Sequence, residues 1–242
     1  MISDTHKFIF IDITKTGGSS IGKIFKAYGG RGKHHSISRN LPDLPSNQGL
    51  ISPLTNGMIS DYFTFTIVRN PWDRFVSLYS YLQTAPLQQQ FVEKGWEGIT
   101  WPLSGKPLAG LTRETYWPTD FEIFVEWFLE YRSYFTDFTG EKYIPMVDWL
   151  KSSNGNIAID CVAKFENLQS DFNYICDKIG IPLIDLPKVN ESLRSYKIEA
   201  ARAIKDNVEI RNRIFEYFKE DFHAFGYSER FEDSNASGLP FD

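Results

Sequence analysis

Residues 8–20 decide the fold of this chain, because the apolar run Phe8–Ile13 (FIFIDI) leads directly into the turn Thr14–Ser20 (TKTGGSS). An apolar run of this kind predicts a buried strand, as in a parallel sheet. The turn predicts the start of a helix over residues 19–28, which a Gly-Gly pair ends. Backbone N–H groups and a helix N-terminus at such a turn predict the binding of a phosphate or sulfate ester.

Basic residues cluster around this turn although the chain is acidic overall. Residues 13–42 hold six Lys or Arg and no Asp or Glu, whereas the 242 residues carry a formal net charge of -5. The acidic balance argues against non-specific nucleic-acid binding, which needs a basic face. No apolar stretch approaches the roughly 20 residues that cross a bilayer, so no membrane span is predicted. Because the N-terminus lacks a secretion signal, and because Cys161 and Cys176 are predicted to be free buried thiols, we expect a cytoplasmic protein.

Strands and helices alternate along the rest of the sequence. Hydrophobic residues make up 42% of the chain, which is enough for a large core. Further strands are predicted at residues 62–68 and 157–162, and further helices at residues 71–82, 121–131, 171–179 and 198–223. This order predicts an α/β fold with a central parallel sheet and helices on both faces. We expect a single domain over residues 1–242, with a flexible tail at 228–242.

Residues 17–24 (GGSSIGKI) nearly match the P-loop pattern of nucleoside triphosphatases. The pattern needs Ser or Thr at the last position as a Mg²⁺ ligand, and Ile24 cannot supply a hydroxyl. Lys23 also lies about one or two helical turns too far from the strand, so Lys15 is the better-placed cation. A kinase or ATPase that uses Lys23 and the acid Asp160 remains an alternative, as does an ordinary strand–helix turn with a surface lysine.

A second motif follows the strand at residues 62–68. Arg69 comes directly after this strand, at the sheet edge where open α/β sheets bind ligands. Ser77 lies two turns into the next helix, and a guanidinium and a hydroxyl so placed can bind one phosphate. The alternative is structural, with Arg69 paired to Asp73 and Ser77 packed within the helix.

Together these motifs resemble the sulfotransferases that use 3′-phosphoadenosine 5′-phosphosulfate (PAPS), in particular the heparan- and chondroitin-type carbohydrate sulfotransferases. The resemblance rests on four stretches in the same order as in that family: residues 15–20 (KTGGSS), 68–77 (VRNPWDRFVS), 164–172 (KFENLQSDF) and 186–192 (LPKVNES). A fifth stretch, residues 220–227 (EDFHAFGY), resembles the C-terminal helix end of that family. The sequence departs from the family at Asp12, Thr14 and Lys188, and Asp12 could weaken anion binding at the turn.

The resemblance implies a P-loop-like three-layer fold and sulfuryl transfer from PAPS to a hydroxyl or amine without a metal. It assigns Lys15 to the leaving oxygen and Arg69 with Ser77 to the 3′-phosphate, and Arg194, or Lys197 as a second choice, to the same phosphate. The implied PAPS-binding residues are Lys15, Thr16, Gly17, Gly18, Ser19, Ser20, Arg69, Ser77 and Arg194. The product would be 3′-phosphoadenosine 5′-phosphate (PAP).

A base must take the proton of the acceptor, and the resemblance favours His35 over His34 for this role. The acceptor is predicted to be a small molecule or an oligosaccharide. Its cleft is assigned, by elimination, to residues 84–118 and 143–148. A nucleotide-binding module without catalysis remains open, and the sequence leaves the oligomeric state undetermined.

Overall fold

The computed structural model describes residues 1–30, 61–83, 120–131, 143–151, 155–186 and 194–239. These residues divide into two compact units. The first is built from Met1–Asn70, Ile144–Asn190 and His223–Gly226, and the second from Pro71–Tyr143, Glu191–Phe222 and Tyr227–Asp242. Whether the chain acts as a single domain stays a prediction.

The first unit contains a four-stranded, mostly parallel sheet with the strand order β1-β2-β3-β4. The strands are β1 (Ile2–Ser3), β2 (Phe8–Ile11), β3 (Phe63–Val68) and β4 (Cys161–Lys164). β2, β3 and β4 run parallel, which confirms the predicted α/β class. β1 was not predicted, and it pairs antiparallel with β2 because a four-residue connection suffices for antiparallel neighbours.

Two helices cover the same face of this sheet, α1 (Gly18–Ala27) and α4 (Leu168–Ile179). Their apolar side chains form one core with alternate residues of the strands, including Phe10 and Phe65, whose rings stack with centroids 5.2 Å apart. Ile9 and Ile11 on the opposite face of β2 are also buried. The strand is therefore buried, as its apolar run predicts, and it is covered on both faces.

The predicted strand at residues 157–162 is displaced in the structure, where β4 begins only at Cys161. The Asp160 carboxylate accepts hydrogen bonds from the backbone N–H and the hydroxyl of Thr64, both at 2.7 Å. Because the Thr64 N–H donates to this carboxylate, it cannot pair with the backbone of an earlier residue of the predicted strand. Ile157 makes only an isolated bridge to Lys151.

The second unit is helical in its described part. Its helices are α2 (Pro71–Leu82), α3 (Phe121–Tyr131), α5 (Arg194–Asp206) and α6 (Val208–Phe225), of which α6 runs on into the first unit. The sequence predicts that residues 198–223 are mostly helical, and the structure confirms this with two helices that meet at Asn207. The Asn207 side chain accepts hydrogen bonds from the N–H groups of Glu209 and Ile210, so it caps a new helix. None of the described helices is both long and apolar enough to span a bilayer.

Buried polar contacts join the helices of the second unit. The Tyr79 hydroxyl donates to Glu199 at 2.7 Å, and burial together with this bond raises the pKa of Tyr79. Residues 228–239 pack within this unit, and whether residues 228–242 form a flexible tail stays a prediction. Phe231 is buried, and the Asp73 carboxylate accepts the backbone N–H groups of Asn235 and Ala236 at 3.2 and 2.7 Å.

Candidate functional site

The turn between β2 and α1 has an unusual backbone conformation. Lys15 has φ 67°, in the left-handed region, and Gly17 has φ 96° at the N-cap of α1. The buried Thr16 hydroxyl donates to the Ile13 carbonyl at 2.7 Å and so stabilises the turn. The first N–H groups of a helix lack partners within the helix, so the N–H groups of Gly18 and Ser19 are candidates to bind an anion, whereas that of Ser20 donates to the Gly17 carbonyl at 3.2 Å.

Both glycines of the turn are required by close neighbours. A Cβ on Gly17 would lie 2.9 Å from Cδ2 of Phe165, and its φ is unfavourable for any other residue. A Cβ on Gly18 would overlap the buried carboxylate of Asp12. Asp12, which departs from the family pattern, therefore lies directly against the first residue of α1.

We expect Gly18→Ala to destabilise the protein by about 1–3 kcal/mol, because the added methyl group overlaps a buried carboxylate. Urea unfolding measures this loss. Gly238→Ala is the matched control, since a Cβ on that exposed glycine meets nothing within 4 Å and should change stability little. The double variant Asp12→Ala with Gly18→Ala should recover part of the loss. Equal losses with and without Asp12 would show that this overlap is not the cause.

Arg69 reaches the same turn from β3. The carboxyl ends of parallel strands lie at one sheet edge, and β2 and β3 bring their following residues together there. Nη1 of Arg69 donates to the Lys15 carbonyl at 3.4 Å, and its guanidinium lies 4.3 Å from the centroid of the Phe165 ring. Arg69 is half-buried, so its charge is less screened than that of a fully exposed arginine.

The structure thus brings together part of the predicted site within the first unit. Lys15 is half-buried, Ser19 is exposed and Ser20 is half-buried, so the turn is accessible from solvent at these positions. Ser77 and Arg194 lie in the second unit. Ser77 is buried within α2, and Arg194 is exposed at the first residue of α5, and their role at a phosphate stays a prediction. His34, His35 and Lys188 lie outside the described residues.

The residues named for the kinase alternative do not meet at this edge. Asp160 precedes β4 and bonds to Thr64 near the start of β3, which is the opposite end of the sheet from Arg69. Lys23 is exposed on α1, and Ile24 packs against the apolar core of the first unit. The geometry therefore favours Lys15 over Lys23 as the cation of the turn.

Two neighbours of the site were not predicted as functional, Phe165 and Glu166. They follow β4, so they lie at the same carboxyl edge as Lys15 and Arg69. Glu166 accepts the backbone N–H of Asn70 at 2.8 Å. Their position directly after a parallel strand could have identified both residues. The sequence places the end of that strand at residue 162, whereas β4 ends at Lys164.

Comparisons with known proteins show which family the chain matches. The model of the sulfotransferase family matches residues 1–228. The chain is similar to carbohydrate sulfotransferase 11 of Mus musculus, with 22% identity over 94% of this chain and 66% of the relative. It is also similar to carbohydrate sulfotransferase 10 of Xenopus laevis, with 24% identity over 94% of this chain and 67% of the relative.

The chain spans about two thirds of the length of these curated relatives, and no solved structure shows a significant match. The family model, however, covers nearly the whole sequence and includes both the Lys15 turn and Arg69. This chain therefore belongs to the sulfotransferase family.

Proposed function

We propose that this protein transfers the sulfuryl group of PAPS to a hydroxyl, or an amine, of a carbohydrate acceptor. The observation that carries the proposal is the meeting of Lys15 and Arg69 at one sheet edge, where an Arg69 N–H lies 3.4 Å from the Lys15 carbonyl. Family membership supplies the reaction class. The names of the similar proteins support a carbohydrate as the acceptor.

The residues of the first unit suit a donor with two separate anionic groups. The turn at residues 15–20 offers a lysine, backbone N–H groups at a helix N-terminus and two serine hydroxyls for a 5′-phosphosulfate. Arg69 offers a planar guanidinium for a 3′-phosphate, which it can bind through two N–H groups. Gly17 and Gly18 let the turn pack closely against Phe165 and Asp12, which a side chain at either position would prevent.

The chemistry requires positioning and charge neutralisation, as in phosphoryl transfer. When bound, PAPS supplies the sulfuryl group, and PAP departs with the electron pair of the broken S–O bond. Lys15 neutralises the negative charge that grows on the departing oxygen. His35 accepts the proton that the acceptor loses as its oxygen or nitrogen bonds to sulfur. We propose that no metal takes part, because Ile24 stands where the triphosphate-binding loop carries its metal-binding hydroxyl.

We expect PAP to bind in the presence of EDTA, and ATP with Mg²⁺ to bind more weakly. Arg69→Ala should weaken the binding of PAP about 10- to 100-fold, because the variant loses charge-assisted hydrogen bonds to one phosphate. AMP, which lacks the 3′-phosphate, should lose little affinity in the same variant. Isothermal titration calorimetry measures all three ligands.

The matched control for Arg69→Ala is Arg230→Ala, which removes an exposed arginine of the second unit. This control should bind PAP like the unchanged protein. Tighter binding of ATP with Mg²⁺ than of PAP, or equal effects of Arg69→Ala on PAP and AMP, would contradict the proposed function.

A further inference from the structure

Phe165 contacts both anion-binding elements of the first unit. It follows β4 directly, and the pairing of Val68 with Lys164 places it beside Arg69 at the carboxyl edge of the sheet. Its Cδ2 atom would lie 2.9 Å from a Cβ on Gly17, and its ring centroid lies 4.3 Å from the Arg69 guanidinium. One half-buried ring thus packs against the turn and against the arginine.

The ring packs against both elements and so can hold Arg69 in a fixed position relative to the turn. An aromatic face attracts a guanidinium electrostatically, and it does so without taking a hydrogen bond from it. Gly17 fixes how closely the turn approaches the ring, since any side chain there would collide with it. The next residue, Glu166, accepts the N–H of Asn70 and so holds the backbone directly after Arg69.

From these contacts we infer that Phe165 is a positioning residue that sets Arg69 relative to the Lys15 turn and thereby selects a donor that carries a 3′-phosphate. This inference rests on the proposed function. The ring acts through Arg69, so its removal should reduce the preference for PAP over AMP. A ring that only filled the core would change the affinities for both ligands alike.

The test compares Phe165→Leu with the conservative Phe165→Tyr, which keeps the aromatic face. We expect Phe165→Leu to lower the ratio of PAP affinity to AMP affinity about 3- to 30-fold, the range of a lost cation–π contact. Phe165→Tyr should keep the ratio. The matched control is Phe63→Leu, because Phe63 packs at the margin of the same core but at the start of β3, the opposite end of the sheet.

A double-mutant cycle with Arg69→Ala decides whether the ring acts through the arginine. We expect Phe165→Leu to cause no further loss of the ratio once Arg69 is alanine. An unchanged ratio in Phe165→Leu, a loss equal for PAP and AMP, or full additivity in the cycle would overturn the inference. If Phe165→Leu does not fold, Phe165→Met serves in the same measurements, because it fills the space with a flexible side chain that has no ring face.

The two proposals fail in different ways in this experiment. If the unchanged protein does not prefer PAP to AMP, the proposed function fails. If it does prefer PAP, and only Arg69→Ala removes that preference, the proposed function stands and the role of Phe165 is rejected.

Discussion

Replacing Lys15 with alanine is expected to lower kcat about 100- to 1,000-fold, the usual effect of removing one group that stabilises charge in a transition state. The φ of 67° at Lys15 supports this expectation. A residue with a side chain costs about 1–2 kcal/mol in the left-handed region, where glycine would fit without strain. The presence of a lysine at such a position supports the proposal that its side chain acts there.

Lys15→Gly separates the two effects. We expect it to match the turnover loss of Lys15→Ala while keeping or raising the free energy of unfolding, because the strain is relieved. Turnover is measured with labelled PAPS and a panel of carbohydrate acceptors. The control is Lys23→Ala, which removes the same charge from an exposed position of α1. This variant should retain turnover.

Two results would contradict this view of Lys15. Loss of turnover in Lys23→Ala with retention in Lys15→Ala would support the triphosphate-binding arrangement. PAP binding without any turnover that depends on Lys15 or on His35 would support a nucleotide-binding module without catalysis.

Replacing His35 with alanine is expected to lower kcat about 100- to 10,000-fold, the range for removal of a general acid–base group. The KM for PAPS should change little, because the proposed role of His35 is on the acceptor. The decrease of kcat at acidic pH that a histidine base produces should also disappear. A pH series of kcat with the best carbohydrate acceptor measures both effects.

His34→Ala is the matched variant, since it removes the same side chain one residue away. It should keep turnover within a few-fold of the unchanged protein. A larger loss in His34→Ala than in His35→Ala would transfer the role of base to His34. Equal activity in both variants would remove a histidine base from the proposed mechanism.

Local patterns were sufficient to predict the elements that carry the first-unit site. The run Phe8–Ile13 marks β2, and the glycines after it mark the start of α1, because burial on both faces and a tight turn each leave a strong local signature. Pro71 marks the start of α2, and the structure has that helix over the predicted residues. Lys15 and Arg69 could be predicted as neighbours from the rule that parallel strands end at one edge.

The features that the sequence did not reveal depend on contacts between distant residues. The start of β4 follows from Asp160 bonding to Thr64, 96 residues away in the chain. The packing of residues 228–239 includes hydrogen bonds from Asn235 and Ala236 to Asp73. Patterns of residues that are neighbours in the chain do not predict such long-range hydrogen bonds.

The sequence alone specified a buried strand, a glycine-rich turn that is predicted to bind an anion, and an arginine after the next strand, since each depends on residues close together in the chain. Only folding determined that Asp12 lies against Gly18 and that the Phe165 ring packs against both Gly17 and Arg69. These contacts arise from how the strands pair and how the side chains pack in three dimensions. Pairing fixes which residues meet at the sheet edge, and packing fixes how closely they approach.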